Sequence, residues 1–376
     1  MSGVLVHEWL SRRGGSENVL EEIAGVFPDA KITALWDDFS ERFAAGRVTE
    51  TWLARTPLRN HKALALPFML PTWRRLGYSD AEWVLCSSHL FAHHARFAGP
   101  ARDAPKFVYT HTPARYIWTP ELDARGESAL LRTVSRPLQK LDRARAQEAH
   151  AIAANSKFVA KRIADTWERE STVIYPAVSV QKFADDSADT LTAADEALLA
   201  TLPSVFILGA SRFVPYKRLD IAIKAGAAAG VSVVIAGDGP EEAHLRALAS
   251  EHPNLVTFVS KPSNAVLNQL YRRALALVFV PVEDFGIMPV EAMATGTPVI
   301  VGTVGGAAES VVDGVTGVHL DTFEESDLKS AVETAASLSP EACAARAWDF
   351  DVSVFREKIA AWVTPTYSQS ARKLAR

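Results

Sequence analysis

Two carboxylates at a fixed spacing point to the chemistry of this chain. Glu283 and Glu291 frame the run Glu283-Asp284-Phe285-Gly286-Ile287-Met288-Pro289-Val290-Glu291. The apolar stretch Leu275 to Val280 predicts a buried parallel strand ahead of it. A helix is expected to open near Met288, with Pro289 at its first position and Gly296 just past its end. Glu283 then sits on the strand-to-helix loop and Glu291 on the first helical turn. The backbone N–H groups of Phe285 and Gly286 face a ligand. A helix N-terminus after a parallel strand receives phosphate, and carboxylates accept hydrogen bonds from hydroxyls. A ligand with both groups is a nucleotide-sugar. Either acid also has a plainer reading. Glu291 complements a helix dipole, and Glu283 alone would be a solvated loop residue.

Three further groups suit the same ligand. Arg212 and Lys217 follow the predicted strand Ser204 to Gly209. One planar fork and one point charge could clamp a diphosphate, although loop cations are commonly just solvated. Gly14 and Gly15 precede a helix that runs through Val26, so backbone can approach a ligand closely there, with Arg12 and Arg13 beside it. The glycines do not form a G-x-G-x-x-G fingerprint, which argues against a nicotinamide enzyme. His111 ends the predicted strand Lys106 to Thr110, where open α/β sheets bind ligands; a lone histidine is often structural instead. His89, His93 and His94 are expected on a helix and lack an HExxH pattern, so they read as non-metal.

These residues need a scaffold of parallel sheets. The 376 residues allow about two domains, and the formal net charge of -4 gives no sign of nucleic-acid binding. Cys86 and Cys343 are far apart and read as cytosolic thiols. No leader-like n-region and no membrane-length apolar run is visible, so a cytoplasmic location is expected. The stretch 51–79 contains no Asp or Glu. It mixes Arg55, Arg59, Lys62, Arg74 and Arg75 with Trp52, Leu64, Leu66, Phe68, Met69, Leu70 and Trp73. That mixture suits an anionic membrane surface, or an internal helix pair with a solvated basic rim. Leu131 to Gln147 is expected to form a helix kinked at Pro137 with a solvated basic face. Ser156 is a predicted helix cap.

Several blocks together resemble the retaining glycosyltransferases of family 4. They are Gly14-Gly15-Ser16-Glu17, His111-Thr112-Pro113-Ala114-Arg115-Tyr116-Ile117-Trp118, Asn155-Ser156, Gly209-x-x-Arg212-x-x-x-x-Lys217-x-x-Asp220, Gly237-Asp238-Gly239-Pro240, the Glu283–Glu291 run, and Gly305-Gly306-x-x-Glu309. The resemblance implies an α/β GT-B fold, two Rossmann-like domains facing a central cleft. Residues 1–178 would form the acceptor-side domain and 179–355 the nucleotide-sugar domain. Residues 356–376 would pack a last helix back on the first domain.

The resemblance also assigns roles. His111 and Glu283 would be catalytic, stabilising the oxocarbenium-like centre and orienting the donor sugar. Arg212, Lys217, Gly15, Phe285 and Gly286 would hold the donor diphosphate. Glu291, Gly237, Lys261 and Pro262 would serve the ribose and base, and Gly14, Arg115 and Lys62 the acceptor side, with Trp118 beside Arg115. Asn155 and Ser156 would help line the site, and Glu309 would be structural. No metal and no other cofactor is implied.

His7-Glu8-Trp9-Leu10 and the block at His111 are most similar to bacterial mannosyltransferases of surface-polysaccharide assembly. This implies GDP-mannose as donor and a glycan or a polyprenyl- or phospholipid-linked acceptor at the inner membrane face. A UDP-sugar donor is the alternative. A GT-B nucleotide-sugar epimerase and a two-domain sugar-binding protein are the rivals from other classes.

Overall fold

The computed structural model describes residues 2–12, 14–119, 129–185 and 190–363, with backbone alone for 129–135. The chain divides into two compact units. One is residues 1–175 with the chain from Phe355 onward, and the other is Pro176–Val354. The division falls three residues ahead of the expected boundary after Val178. Val178 pairs with Asp351 and its N–H donates to Phe350 O, so this segment belongs to the second unit.

The described residues of the first unit form the strands β1 (Gly3–His7), β2 (Lys31–Ala34), β3 (Val48–Glu50), β4 (Trp83–Ser88), β5 (Lys106–Thr110), β6 (Ala151–Ala154) and β7 (Thr172–Val173). They pair in parallel in the order β3-β2-β1-β4-β5-β6-β7. β1 and β4 are buried along their whole length, as strands covered on both faces must be. Chain order reverses between β1 and β4, so their carboxyl ends open the crevice where such sheets bind ligands. Trp36, Trp73 and Trp167 are fully buried in this unit. The last helix packs Phe355 on Tyr109 and Trp362 on Phe107, and Arg356 pairs with Glu22 at 2.7 Å. Residues 364–376 lie outside the described residues.

The second unit contains β8 (Phe206–Ala210), β9 (Ser232–Gly237), β10 (Val256–Ser260), β11 (Leu277–Phe279), β12 (Val299–Gly302) and β13 (Gly317–Leu320). Their order is β10-β9-β8-β11-β12-β13, again parallel. The reversal falls between β8 and β11. Local chemistry sets the helix starts. Ser156 accepts from Val159 N at 3.0 Å, Ser263 from Val266 N at 3.1 Å and Ser339 from Ala342 N at 3.2 Å. Thr192 and Asp195 form a reciprocal capping box.

Three helix expectations are corrected. The helix after β11 runs Ile287–Ala294, so Pro289 is its third residue and Glu291 lies in its second turn. His89 is in a loop, and only His93 and His94 lie in a short 3-10 turn, Ala92–His94. The stretch 51–79 is not a helix pair. It forms two 3-10 turns and one helix, Lys62–Trp73, which contains Pro67 and Pro71. Among the described residues, no helix is long and apolar enough to cross a membrane.

Candidate active site

The carboxyl ends of β1, β4 and β5 gather a network of titratable side chains. Glu8, which follows β1, is fully buried. Its Oε1 accepts from the backbone N–H of His89 at 3.2 Å, Leu90 at 2.8 Å and Ala92 at 3.0 Å. Its Oε2 lies 3.2 Å from His89 Nδ1. Burial opposes its ionisation, but His89, His7 and these N–H donors outweigh that and hold Glu8 below the usual carboxylate range.

His7 Nδ1 lies 3.1 Å from both Ser87 O and Ser87 Oγ. A carbonyl only accepts, so Nδ1 carries the proton. Burial pulls the His7 pKa down to about 4, so the ring is neutral near pH 7. The Ser87 hydroxyl then has its own hydrogen to give to His111 Nε2, 2.8 Å away. Burial, with His89 and His7 nearby, also holds His111 well below its ordinary value. A neutral His111 that accepts at Nε2 carries its proton on Nδ1. His111 is therefore set as a donor through Nδ1.

Behind this layer lies a closed hydrogen-bond knot. Asp142 Oδ1 is 3.1 Å from His93 Nε2 and 2.9 Å from His94 Nε2. Its Oδ2 accepts from the indole N–H of Trp118 and of Trp167, each at 2.7 Å. Both oxygens are saturated, so this group, although its atoms are close enough to surround a cation, reads as a buried carboxylate satisfied by nitrogen donors. Ser88 Oγ links it forward, 3.0 Å from His93 Nδ1 and 3.3 Å from Glu8 Oε1. His7, Glu8 and His89 also meet metal-ligand spacing, but the Glu8 contacts above account for that cluster. Trp118, expected beside Arg115, gives its indole N–H to this knot.

The remaining first-unit candidates are spread around this network. Gly15 opens the helix Gly15–Val26 with open space beside it. Gly14 is tightly backed: an added Cβ would lie 2.0 Å from Glu17 Oε2. Lys62 Nζ sits 4.0 Å above the Trp9 ring, and Trp9 stacks on Trp36. Arg115 is half-buried at the start of the short helix Arg115–Trp118. Asn155 and Ser156 are buried, with Ser156 serving as the cap above. Arg13 lies outside the described residues. On the helix before β6, expected to carry a solvated basic face, Arg136 and Lys140 are exposed, while Arg143 pairs with Glu168 and Arg145 with Glu148.

The second unit places its candidates at the carboxyl ends of β8 to β12. Lys217 Nζ pairs with Glu283 Oε1, so the expected diphosphate lysine and sugar carboxylate form one ion pair. Arg212 is exposed, with Nη2 3.4 Å from Tyr216 Oη. Gly286 caps the following helix at φ +87°, a conformation that favours glycine, while Phe285 is buried against Phe350. Gly306 lets the next loop close on this one. Its N–H donates to Glu283 O at 2.8 Å, and a Cβ there would lie 2.0 Å from Asp284 O. Glu291 accepts from Tyr271 Oη at 3.1 Å. Burial pushes its pKa up to about 7, against the opposing pull of Tyr271 and Lys182. Lys261 N donates to Gly237 O at 3.2 Å, and its exposed ammonium lies 3.9 Å from Asp238. Pro262 follows it, half-buried.

The family model for Glycosyltransferase Family 4 matches residues 13–182, and that for Glycosyl transferases group 1 matches residues 194–346. The chain belongs to the family 4 glycosyltransferases. It is 32% identical over 208 residues to a D-inositol 3-phosphate glycosyltransferase of Mycobacterium sp. (strain KMS), covering 51% of this chain and 46% of that protein. It is 29% identical over 209 residues to the α-1,3/1,6-mannosyltransferase alg-2 of Neurospora crassa, covering 45% of this chain and 44% of the relative. The chain thus spans about half the length of the curated relatives it matches. Its fold is similar to that of Anabaena HepE in complex with UDP, with a TM-score of 0.70, 20% identity, and 97% and 100% of the two chains covered. The two parallel-sheet α/β units are those of the GT-B class.

Glu8, Ser87, Ser88 and Asp142 were not singled out from sequence. The signal available for the first three was their position at strand ends on either side of the order reversal. Asp142 carried none, since an acid inside a basic helix reads as surface.

Proposed function

We propose that the protein transfers a hexose from a nucleoside-diphosphate sugar to a hydroxyl, retaining the anomeric configuration. The observation that carries this reading is the Lys217–Glu283 pair beside the helix N-terminus at Gly286, with Glu291 one helix turn further on. Glu291 would hold the ribose hydroxyls, and Glu283 the donor-sugar hydroxyls. Lys217, Arg212 and the N–H groups at Phe285 and Gly286 would stabilise the departing diphosphate in place of a metal. Gly15 would offer its backbone N–H to a phosphate. Gly237, Lys261 and Pro262 would line the base. His111, donating through Nδ1, would steady a sugar oxygen as the glycosidic bond breaks. By the family resemblance, the leaving phosphate itself would take the acceptor proton in a front-face displacement.

The donor we favour is GDP-mannose, by resemblance to the mannosyltransferases. A UDP-sugar is the alternative. Gly14, Arg115 and Lys62 would serve a glycan or lipid-linked acceptor. Exposed Trp52, Leu64 and Phe68 support a peripheral contact with an anionic membrane surface. Arg59 and Arg74 in the same stretch are already paired, with Asp38 and Glu148, and would contribute little to it. Metal-free incubation of anomerically labelled GDP-mannose and UDP-glucose, followed by NMR, tests the reading. Release of the α-sugar, lost in Glu283→Ala, is expected. A β product, or no turnover of either donor, would overturn it.

A further inference from the structure

The amino ends of β4, β5 and β6 carry a second concentration of charge. A cavity of about 330 Å³ there is lined by Arg74, Arg96, Arg102, Lys106, Arg145 and Glu148, with apolar residues such as Phe97 at its base. Five cations face one carboxylate in a chain whose net charge is -4. In a parallel sheet the amino ends lie on the edge opposite to Glu8, Ser87 and His111. A five-residue strand separates the two edges by roughly 17 Å. The pocket is therefore not part of the site described above.

The pocket is built rather than incidental. Glu148 is shared by three cations: Arg74 at 2.7 Å, Lys106 at 3.1 Å and Arg145 at 2.8 Å. Arg74 also donates to His94 O at 3.0 Å, and Lys106 to His93 O at 3.1 Å, which fixes both on the backbone behind the Asp142 knot. One carboxylate cannot balance this set. Arg145 Nε is buried with no hydrogen-bond acceptor. Arg96 and Arg102 are exposed at the rim, and neither side chain makes an ion pair or hydrogen bond among the described residues. The three cations hold Glu148 ionised, with its pKa pulled down to about 2 even though burial opposes this.

We propose that this pocket binds a polyanion carrying two or more phosphate groups, either a soluble polyphosphate or phosphorylated polyol, or the headgroup of an anionic lipid. Its volume exceeds what one phosphate fills. Arginine forks recognise phosphate oxygens in pairs, and a fixed cluster of like charges attracts a multiply charged ligand most strongly. The inference does not rest on the proposed transfer reaction.

Calorimetry with inorganic tripolyphosphate at low salt tests it on four proteins. Wild type should bind, and Arg212→Ala/Lys217→Ala, which removes the proposed donor-diphosphate cations, should keep the binding that this pocket supplies. Arg96→Glu/Arg102→Glu, changed only at exposed positions, should bind roughly tenfold more weakly or not at all. Lys224→Glu/Lys329→Glu makes the same change in net charge on the other unit and should bind like wild type. Equal weakening by both charge reversals would show generic electrostatics and overturn the site, as would binding untouched by Arg96→Glu/Arg102→Glu. Binding lost only in Arg212→Ala/Lys217→Ala would overturn it while supporting the donor site. Co-sedimentation with cardiolipin but not phosphatidylcholine vesicles, lost in Arg96→Glu/Arg102→Glu, would assign the phosphates to a lipid headgroup. Tripolyphosphate binding without vesicle binding would assign it to a soluble ligand.

Discussion

The two units share one architecture and use its strand ends in opposite ways. In the first unit the carboxyl ends of β1, β4 and β5 hold buried, mutually hydrogen-bonded groups. His7, Ser87 and His111 have their protons assigned by their neighbours, and Glu8 accepts from backbone N–H groups. In the second unit the same ends hold glycine backbone and side chains at the surface or paired beside it, such as Arg212 and the Lys217–Glu283 pair. Burial explains the difference. A group removed from water depends on protein partners for its hydrogen bonds, which orients the donors and acceptors of the first set. Groups near water keep their charge and can meet a charged ligand. The first set suits neutral hydroxyls, and the second adds cations that suit a diphosphate.

The comparison breaks most sharply at its most buried point. Asp142→Ala would leave four nitrogen donors without an acceptor and should cost about 3–5 kcal/mol, read as a large fall in Tm. The second unit's counterpart is Glu283→Ala, which should leave stability nearly intact. Its loss should appear as turnover reduced by roughly 10²–10³, with nucleotide binding retained. A large fall in Tm for Glu283→Ala would erase the contrast.

Smaller effects sharpen it. If the Ser87 hydroxyl fixes His111 as a donor through Nδ1, Asn, whose amide nitrogen lies near that position, should replace His111 better than Gln. Turnover of His111→Asn should exceed that of His111→Gln by roughly tenfold, about one hydrogen bond to the transition state. The reverse order would show donation through Nε2.

Glu291 gives the gentlest test. Ribose hydroxyls donate to its carboxylate, so affinity for nucleotide should rise with pH through about 7 and level off above. Comparison with Glu291→Gln, which mimics the protonated acid, cancels the titration of the nucleotide itself. The difference between the two proteins should shrink as pH falls below 6. Because the folded pKa is raised from the ordinary 4.5, the folded state binds the proton more tightly. Stability should therefore fall as pH rises between about 4.5 and 7 in wild type, and this slope should be absent in Glu291→Gln.

What could be read from sequence follows the same division. Strands such as β1 and β5 announced themselves as apolar runs, and Lys217, Glu283 and Glu291 stood out because charged residues follow such runs at the strand ends. Residues whose partners are distant in sequence did not. Ser87 matters because His7 and His111 flank it in space, and Asp142 because His93, His94, Trp118 and Trp167 converge on it. The pairing of Lys217 with Glu283 was equally hidden, since each residue had been assigned a separate task. Composition also could not show that Arg59 and Arg74 in the stretch 51–79 are paired, because their acids come from elsewhere in the chain.

The central claim is that the second unit holds a nucleoside diphosphate through Glu291 and the cations before it. Calorimetric titration of GDP, UDP and ADP into the metal-free protein, and into Glu291→Ala, tests it most directly. We predict that GDP binds selectively in wild type and that the variant loses most of that affinity. Selective UDP binding would keep the site and replace the donor. Binding of none of the three, or binding indifferent to Glu291→Ala, would contradict the account.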